Sequence, residues 1–278
     1  MSATTSAKNG AQSIPLGLFT READTYVPSE FTRGPWRADA QHGGPPSALL
    51  AHLCEPFVEE GEFLAQLEIE LVRPVPLTAL NFAVDRRRIS GRVARVDSSI
   101  ISNGVVVAKA SGLVLRTSDL ASPEWVGKNE RAPQPPPEDS AVDPPRWASG
   151  DVTTYHRNAV EHRFTSGDFR TPGPAVDWVR LRLPVVANHS PSGLERLAAG
   201  ADFGSGISAV YRADSPVGLI NANLVISMHR AMVGEWVSLD STTFVGAQGT
   251  GLGVTTLGDT AGTLGIATQS LLGYSLHR

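Results

Sequence analysis

Alternating hydrophobic and polar positions predict β-strands in the first part of the chain. Leu67, Ile69 and Leu71 alternate with glutamates, and a period of two is typical of a strand that is buried on one face. Another strand is predicted near Asn81–Arg88. Two more are predicted on either side of Asn103-Gly104, a pair that favours a tight hairpin turn.

A helix is predicted ahead of these strands. Its apolar positions, Leu49, Leu50, Leu53 and Phe57, recur at helical spacing. The segment His-Gly-Gly-Pro-Pro at 42–46 precedes them, and proline is tolerated in a first turn because its missing N–H has no partner there.

The second half of the chain repeats this pattern. Val179, Leu181 and Leu183 alternate with arginines, and a short helix is predicted near 191–201. Four further strands are predicted near 219–230, 235–244, 249–257 and 263–272. Arg73 corresponds to Arg230 at an offset of 157 residues and Gly104 to Gly262 at 158, and a shared long offset indicates duplication. A helix with several antiparallel strands, present twice, predicts an α+β fold.

Length and proline content predict two domains. The chain has 278 residues, which is long for a single core. Seven of its prolines fall between Thr117 and Gly150, and proline removes the amide donor that helices and sheets need. The sequence therefore predicts an N-terminal domain over 1–118, a linker over 119–150 and a C-terminal domain over 151–278.

Composition narrows the class of protein. With 41% hydrophobic residues, 19% charged residues and a net charge of -4, the chain is typical of a globular protein and has no basic face for nucleic acid. The triplet at 86–88, Arg-Arg-Arg, is interpreted as a solvated strand end rather than a phosphate site. We expect no membrane span and no secretory signal. The single cysteine, Cys54, is interpreted as a buried apolar residue, and a cytoplasmic location is predicted.

Five segments together resemble one family. They are 42–48 (His-Gly-Gly-Pro-Pro-Ser-Ala), 71–76 (Leu-Val-Arg-Pro-Val-Pro), 201–204 (Ala-Asp-Phe-Gly), 229–230 (His-Arg) and 268–272 (Thr-Gln-Ser-Leu-Leu). In order and spacing they resemble the double-hotdog acyl-CoA thioesterases, those similar to acyl-CoA thioesterase II. The resemblance implies two tandem hotdog folds, each an antiparallel sheet wrapped around a central helix, with acyl chains bound between them.

The resemblance also implies a site. The family's Asp, Ser or Thr, and Gln, which activate a water for attack on the thioester, fall at Asp202, Asn221 and Gln269. Asn221 departs from the family's hydroxyl, although an amide can also hold a water. Substrate contacts are expected at His42, Gly43 and Gly44, because the start of a helix offers free N–H groups to a developing oxyanion. No metal and no cofactor are expected, and acyl-CoA is the expected partner.

The duplication suggests that only one of two equivalent sites works. The constant offset places Asp202 opposite Gly44 or Pro45 and Gln269 opposite Ser111 or Gly112. It places Asn221 opposite 63 or 64, which are Phe and Leu. None of these first-half residues is a polar residue of the same type as its second-half counterpart.

Other functions remain open. Asp151 and His156 have the spacing of a hotdog enoyl thioester hydratase, a match interpreted as chance. A non-catalytic acyl-CoA or acyl-carrier binding protein is the other alternative. Motifs of serine hydrolases, P-loop nucleotide binding and zinc binding are lacking. Exposed sheet edges make a homo-oligomer a further expectation.

Overall fold

A computed structural model of the protein describes residues 17–120, 142, 144–145, 151–212 and 215–275. Most of the linker predicted over 119–150 lies outside these residues. The boundaries of the three parts therefore remain a prediction.

The elements of the first half follow the predicted order. They are strands β1 (Phe19–Glu22) and β2 (Thr25–Pro28), helix α1 (Gly44–Cys54), and strands β3 (Glu62–Glu70), β4 (Asn81–Arg88), β5 (Val93–Ser102) and β6 (Val105–Arg116). Short 3₁₀ turns at Glu30–Thr32 and Glu55–Phe57 flank α1. The predicted last apolar position of the helix, Phe57, lies in the second of these turns.

The second half begins with a π-helical turn at Tyr155–Ala159. Its other elements are strands β7 (Val160–Ser166) and β8 (Ala175–Leu181), helices α2 (Gly193–Ala201) and α3 (Gly204–Ile207), and strands β9 (Val217–Asn221), β10 (Asn223–Met228), β11 (Val237–Val245), β12 (Thr250–Asp259) and β13 (Gly262–Ser275). Ser192 caps α2 by accepting the Glu195 N–H.

One antiparallel sheet runs through both halves. Its order is β4-β5-β6-β3-β10-β13-β12-β11-β8-β7, and β9 pairs separately with β13. The halves join where β3 pairs with β10, from Glu70 opposite Asn223 to Gln66 opposite Ser227. This arrangement confirms the α+β class and the two tandem hotdog folds, whose strands join into one continuous sheet.

The predicted strand over 219–230 is interrupted. It forms β9 and β10, separated at Ala222. The Asn223 side-chain oxygen accepts the Ser270 N–H at 2.8 Å, so a side chain replaces a backbone partner at this point. Asn221 is therefore the last residue of β9. Its side chain contacts Asp202, which follows α2.

The predicted repeat holds for the strands but not for the helices. β12 and β13 each begin 157 residues after β5 and β6, whereas α2 begins 149 residues after α1. The alignment of Asp202 with Gly44 or Pro45 is therefore wrong. Asp202 follows the last residue of α2 just as Glu55 follows the last residue of α1, and these two are the structural counterparts.

The two helices pack against each other in antiparallel directions. Gly44, at the start of α1, lies against the backbone of Ala199 near the end of α2. His52, near the end of α1, contacts Glu195 in the first turn of α2. Apart from His52, every residue of α1 is buried, because the helix lies between the sheet and α2.

Cys54 lies in this core. Burial raises the pKa of its thiol to about 11, so the thiol stays protonated at neutral pH. That agrees with its interpretation as a packing residue. Among the described helices, none combines the length and the apolar character that crossing a bilayer requires.

Candidate active site

A cavity of about 410 Å³ opens between segments of the two halves. Four of the six predicted site residues line it, namely His42 and Gly43 from the first half and Asp202 and Asn221 from the second. Gly44 and Gln269 are not among its lining residues. They lie behind it, in contact with the elements that form its wall.

Asp202 is held by one side chain from each half. Asn221 donates from Nδ2 to Asp202 Oδ1 at 2.9 Å. On the other oxygen, Oδ2 lies 3.0 Å from His42 Nδ1. Only 4% of the Asp202 side chain is exposed, so these two contacts fix the direction in which the carboxylate can face the cavity.

His42 connects the carboxylate to the start of α1. The Gly44 N–H donates to His42 Nδ1 at 3.1 Å, and the same atom faces Asp202. Nδ1 can accept from Gly44 when it carries no proton and can donate to Asp202 when it does. The ring packs against Tyr155 and Phe203, with centroids 5.1 and 4.9 Å away.

The first turn of α1 leaves one backbone N–H for a ligand. Pro45 and Pro46 have no N–H, and the N–H of Gly44 is used by His42. No described residue accepts a hydrogen bond from the N–H of Gly43. A free amide at a helix start favours negative charge.

Glycine is required at 43 and 44 by close contacts. A Cβ on Gly43 would lie 2.6 Å from Asp202 Oδ2, and one on Gly44 would lie 2.7 Å from both the Ala199 carbonyl oxygen and the Tyr155 ring. The paired glycines thus allow α1 of the first half to approach the end of α2.

Gln269 holds the backbone that follows α2. Its Oε1 accepts the Ser205 N–H at 2.8 Å, and its Nε2 donates to the Asp202 carbonyl oxygen at 3.1 Å. The residue is only 2% exposed. Its amide is therefore committed largely to positioning the Asp202–Ser205 turn from β13.

Sequence reasoning did not place two aromatic residues and one histidine at the site. Tyr155 and Phe203 stack in parallel at 5.6 Å, and Tyr155 donates to the Ala199 carbonyl oxygen. His156 lines the cavity, and burial, with a contribution from nearby His42, lowers its pKa to about 3. It is neutral at neutral pH. Asp151, which has the hydratase spacing to His156, is exposed and does not line the cavity.

The arginine triplet lies away from the cavity. Arg86 pairs with Glu62, and Arg87 pairs with Asp97, which agrees with the interpretation of a strand end. The cavity lining instead includes three other arginines, Arg37, Arg73 and Arg212.

The corresponding strand positions in the first half are apolar. The 157-residue offset of the strands places Leu64 at the position of Asn221 and Gly112 at that of Gln269. Leu64 is buried and packs directly on Gly112, where a Cβ would lie 3.1 Å from its Cδ1. Neither position offers a group that could hold a water.

Structural comparison finds the same fold in solved proteins. A protein described as a candidate thioesterase II from Thermobifida fusca is 13% identical with a TM-score of 0.69, over 93% of this chain and 96% of that one. A candidate thioesterase from Novosphingobium aromaticivorans is 21% identical with a TM-score of 0.67, over 94% and 99%. A hot dog fold protein of unknown function from Alicyclobacillus acidocaldarius is 14% identical with a TM-score of 0.67, over 92% and 96%.

Sequence comparison identifies the family. No curated protein sequence matches the chain. The family model for the acyl-CoA thioesterase N-terminal domain matches residues 32–115, and the model for the acyl-CoA thioesterase C-terminal domain matches residues 128–272. The two matches fall on the two hotdog halves, in the order that the family has. The chain therefore belongs to the acyl-CoA thioesterase family.

Proposed function

We propose that the protein hydrolyses fatty acyl-CoA to a free fatty acid and CoA, with Asp202 as the base. The observation that carries this proposal is the contact between Gly43 and the Asp202 carboxylate at the cavity wall. It brings a free backbone N–H from one half beside a buried carboxylate from the other. Thioester hydrolysis needs such a pair, because one group activates the water and the other stabilises the oxyanion.

Each of these groups can be given a role in the order of the reaction steps. Asn221 uses its NH₂ group on Asp202, so its carbonyl oxygen can accept from a water that also donates to the carboxylate. Asp202 takes a proton as this water attacks the thioester carbon, and the carbonyl oxygen becomes an oxyanion that the Gly43 N–H stabilises. When the C–S bond breaks, the proton on Asp202 passes to the leaving thiolate. Gln269 acts as a positioning residue through the Asp202 backbone.

The cavity lining suits both ends of an acyl-CoA. Apolar side chains that include Leu71, Val75 and Phe169 offer a surface for the acyl chain. The arginines at 37, 73 and 212 offer positive charge to the phosphates of CoA. His42 and Gly43 would contact the thioester itself.

Release of free thiol from a panel of acyl-CoAs tests this function. We expect a rate that saturates with substrate and a loss of about 10²–10⁴-fold in kcat for Asp202→Asn, the range typical of a general base. Asp240→Asn, at an exposed position in β11, is the matched control and should retain the rate. Hydrolysis that persists in Asp202→Asn would contradict the assignment of the base.

The same experiment separates the alternatives. A non-catalytic acyl-CoA or acyl-carrier binding protein would bind the acyl-CoAs without releasing thiol. An enoyl thioester hydratase would change the absorbance of an enoyl-CoA without releasing thiol. Because Asp151 lies away from the cavity, the site favours hydrolysis over hydration.

We also propose a cytoplasmic location, which cell fractionation tests. We propose that the protein forms a homo-oligomer, which sedimentation of the purified protein tests.

We propose that the first domain ends at 118 and the second begins at 151, with a linker over 119–150. Limited proteolysis should cut first within 119–150 and release two fragments that stay associated through β3 and β10.

A further inference from the structure

A second cluster of titratable side chains lies at the other end of the α1–α2 pair. His52 stands in the last turn of α1, His189 in the loop before α2, and Glu195 in the first turn of α2. Their nitrogen and carboxylate atoms all lie within 4.8 Å of one another. Because the helices are antiparallel, this cluster is separated from Asp202 by about 10 Å of helix, the seven residues from Glu195 to Asp202.

We propose that His52, His189 and Glu195 bind one divalent transition metal ion, with Zn²⁺ the best fit. Two imidazoles and one carboxylate form a ligand set that zinc accepts, with a fourth position left for water. The ion would join α1 of the first half to α2 of the second. It takes no part in the proposed hydrolysis.

The two distances to Glu195 Oε1 are close to those that this ion needs. Zinc bonds of about 2.0–2.2 Å in a tetrahedron place the ligand atoms about 3.3 Å apart. His189 Nε2 lies 3.4 Å from Glu195 Oε1, and His52 Nδ1 lies 2.7 Å from the same oxygen. The shorter separation is a hydrogen bond, which needs to open by about 0.6 Å when a metal replaces its proton.

One oxygen of Glu195 gives independent evidence for a ligand at this cluster. Its side chain is fully buried, and its Oε2 has no hydrogen-bond partner among the residues that the structure describes. A buried carboxylate oxygen without a partner costs free energy. A cation bound by both oxygens of the carboxylate would remove that cost.

The loop before α2 turns His189 towards the carboxylate. Asn188 has a left-handed backbone with φ of 62°, and the His189 N–H donates to the Val186 carbonyl oxygen at 3.1 Å. The His189 side chain is 49% exposed. It therefore supplies the open side through which an ion could enter.

The surrounding charge favours a cation. Glu55, the counterpart of Asp202, follows α1 near this cluster. Burial raises the pKa of its carboxyl group, and the charge of Glu195 raises it further. The two imidazoles are neutral when bound to metal, so the Glu195 carboxylate supplies negative charge that a divalent ion would balance.

Titration of the untagged, metal-stripped protein with Zn²⁺ by calorimetry tests the proposal. We expect one ion per chain and a rise in Tm with added zinc, because a ligand that binds the folded state stabilises it. His189→Ala removes a half-exposed ligand with little effect on the core, and it should weaken binding by about tenfold or more. His229→Ala, a histidine outside the cluster, is the matched control and should bind as the wild type does.

A second measurement guards against a variant that does not fold. Co²⁺ bound to the wild-type protein should give the visible spectrum of a tetrahedral site with nitrogen and oxygen ligands and no thiolate. Binding that is unchanged in His189→Ala, or a wild-type protein that takes up no stoichiometric zinc, would overturn the proposal. Thiol release in metal-free buffer is independent of this outcome, so failure here leaves the proposed hydrolysis intact.

Discussion

Gly43 and Asp202 lie so close that a methyl group on Gly43 would be 2.6 Å from one carboxylate oxygen and 2.8 Å from the other. The glycine belongs to the start of α1 and the carboxylate to the end of α2. No L-side chain fits between them. The geometry of the candidate site is therefore set by contact between the backbone of one half and a side chain of the other.

Substitution Gly43→Ala should displace the carboxylate. The added methyl meets only the end of a side chain, so we expect a loss of about 1 kcal/mol or less in the free energy of unfolding. The loss in kcat should be about 10²-fold, because a shift of about 1 Å misplaces the base. Thiol-release kinetics and urea unfolding measure the two effects. Gly91→Ala, where a Cβ would meet nothing within 4 Å, should change neither.

Replacement of Asn221 tests whether its amide group performs the role that a Ser or Thr hydroxyl group has in the family. Asn221→Leu keeps the branched shape of the side chain but removes the hydrogen bond to Asp202, so kcat should fall by about 10–100-fold. Asn221→Thr restores a hydroxyl and should retain more of the rate than Asn221→Leu. Wild-type rates for both variants in the thiol-release assay would show that the side chain at 221 only packs.

The substitution Gln269→Ala should lower both stability and rate. It leaves the Ser205 N–H and the Asp202 carbonyl oxygen without their side-chain partner, which costs about 1–3 kcal/mol in a buried setting. The rate should fall with KM little changed, because the residue does not line the cavity. Urea unfolding and steady-state kinetics measure these effects. Ser270→Ala, at the exposed neighbouring position, is the control.

The pair Arg230–Asp259 predicts a pH-dependent stability. Asp259 is fully buried and bonds Arg230 through both oxygens at 2.7 and 2.8 Å. Burial alone would raise its pKa, but the hydrogen bonds from Arg230 and from two backbone N–H groups outweigh it and lower the pKa. An acid with a lowered folded-state pKa stabilises the fold above its unfolded value of 3.8, and this stability is lost as the pH falls through the folded value.

We therefore expect Asp259→Asn to lose about 3–5 kcal/mol at pH 7. The difference from the wild type should shrink as the pH falls below about 3.8, where the carboxyl of the unfolded chain takes up its proton, and should vanish below the lower folded-state pKa. Denaturant unfolding at several pH values measures this. Asp85→Asn, whose side chain is mostly exposed, should show a small difference that does not change in this way.

Local patterns were sufficient to predict most of the fold. The period of two at Leu67–Leu71 and the turn at Asn103-Gly104 gave β3, β5 and β6, because side-chain alternation and hairpin chemistry act between near neighbours. The interruption at Ala222 could not be read from sequence. It depends on Asn223 finding Ser270 on a distant strand.

The candidate site was predicted only in part. The resemblance identified Asp202, Asn221 and Gln269, and the structure brings the first two into direct contact. The contact of His42 with Asp202 arises from the packing of α1 on α2, and that of Tyr155 with Phe203 joins the Tyr155–Ala159 turn to the segment after α2. No local pattern specifies such tertiary contacts. The counterpart of Asp202, Glu55, was missed because the helices do not keep the offset of the strands.

The pairing of β3 with β10 has an evolutionary consequence. In a symmetric dimer of identical chains, every substitution appears at both symmetry-related positions. A single chain that carries both halves in one sheet escapes this constraint, and each end of its helix pair can change alone. Asp202 and Glu55 thus occupy corresponding positions with different neighbours. One gene can retain a reactive site at one end of the helix pair while the other end of the pair diverges.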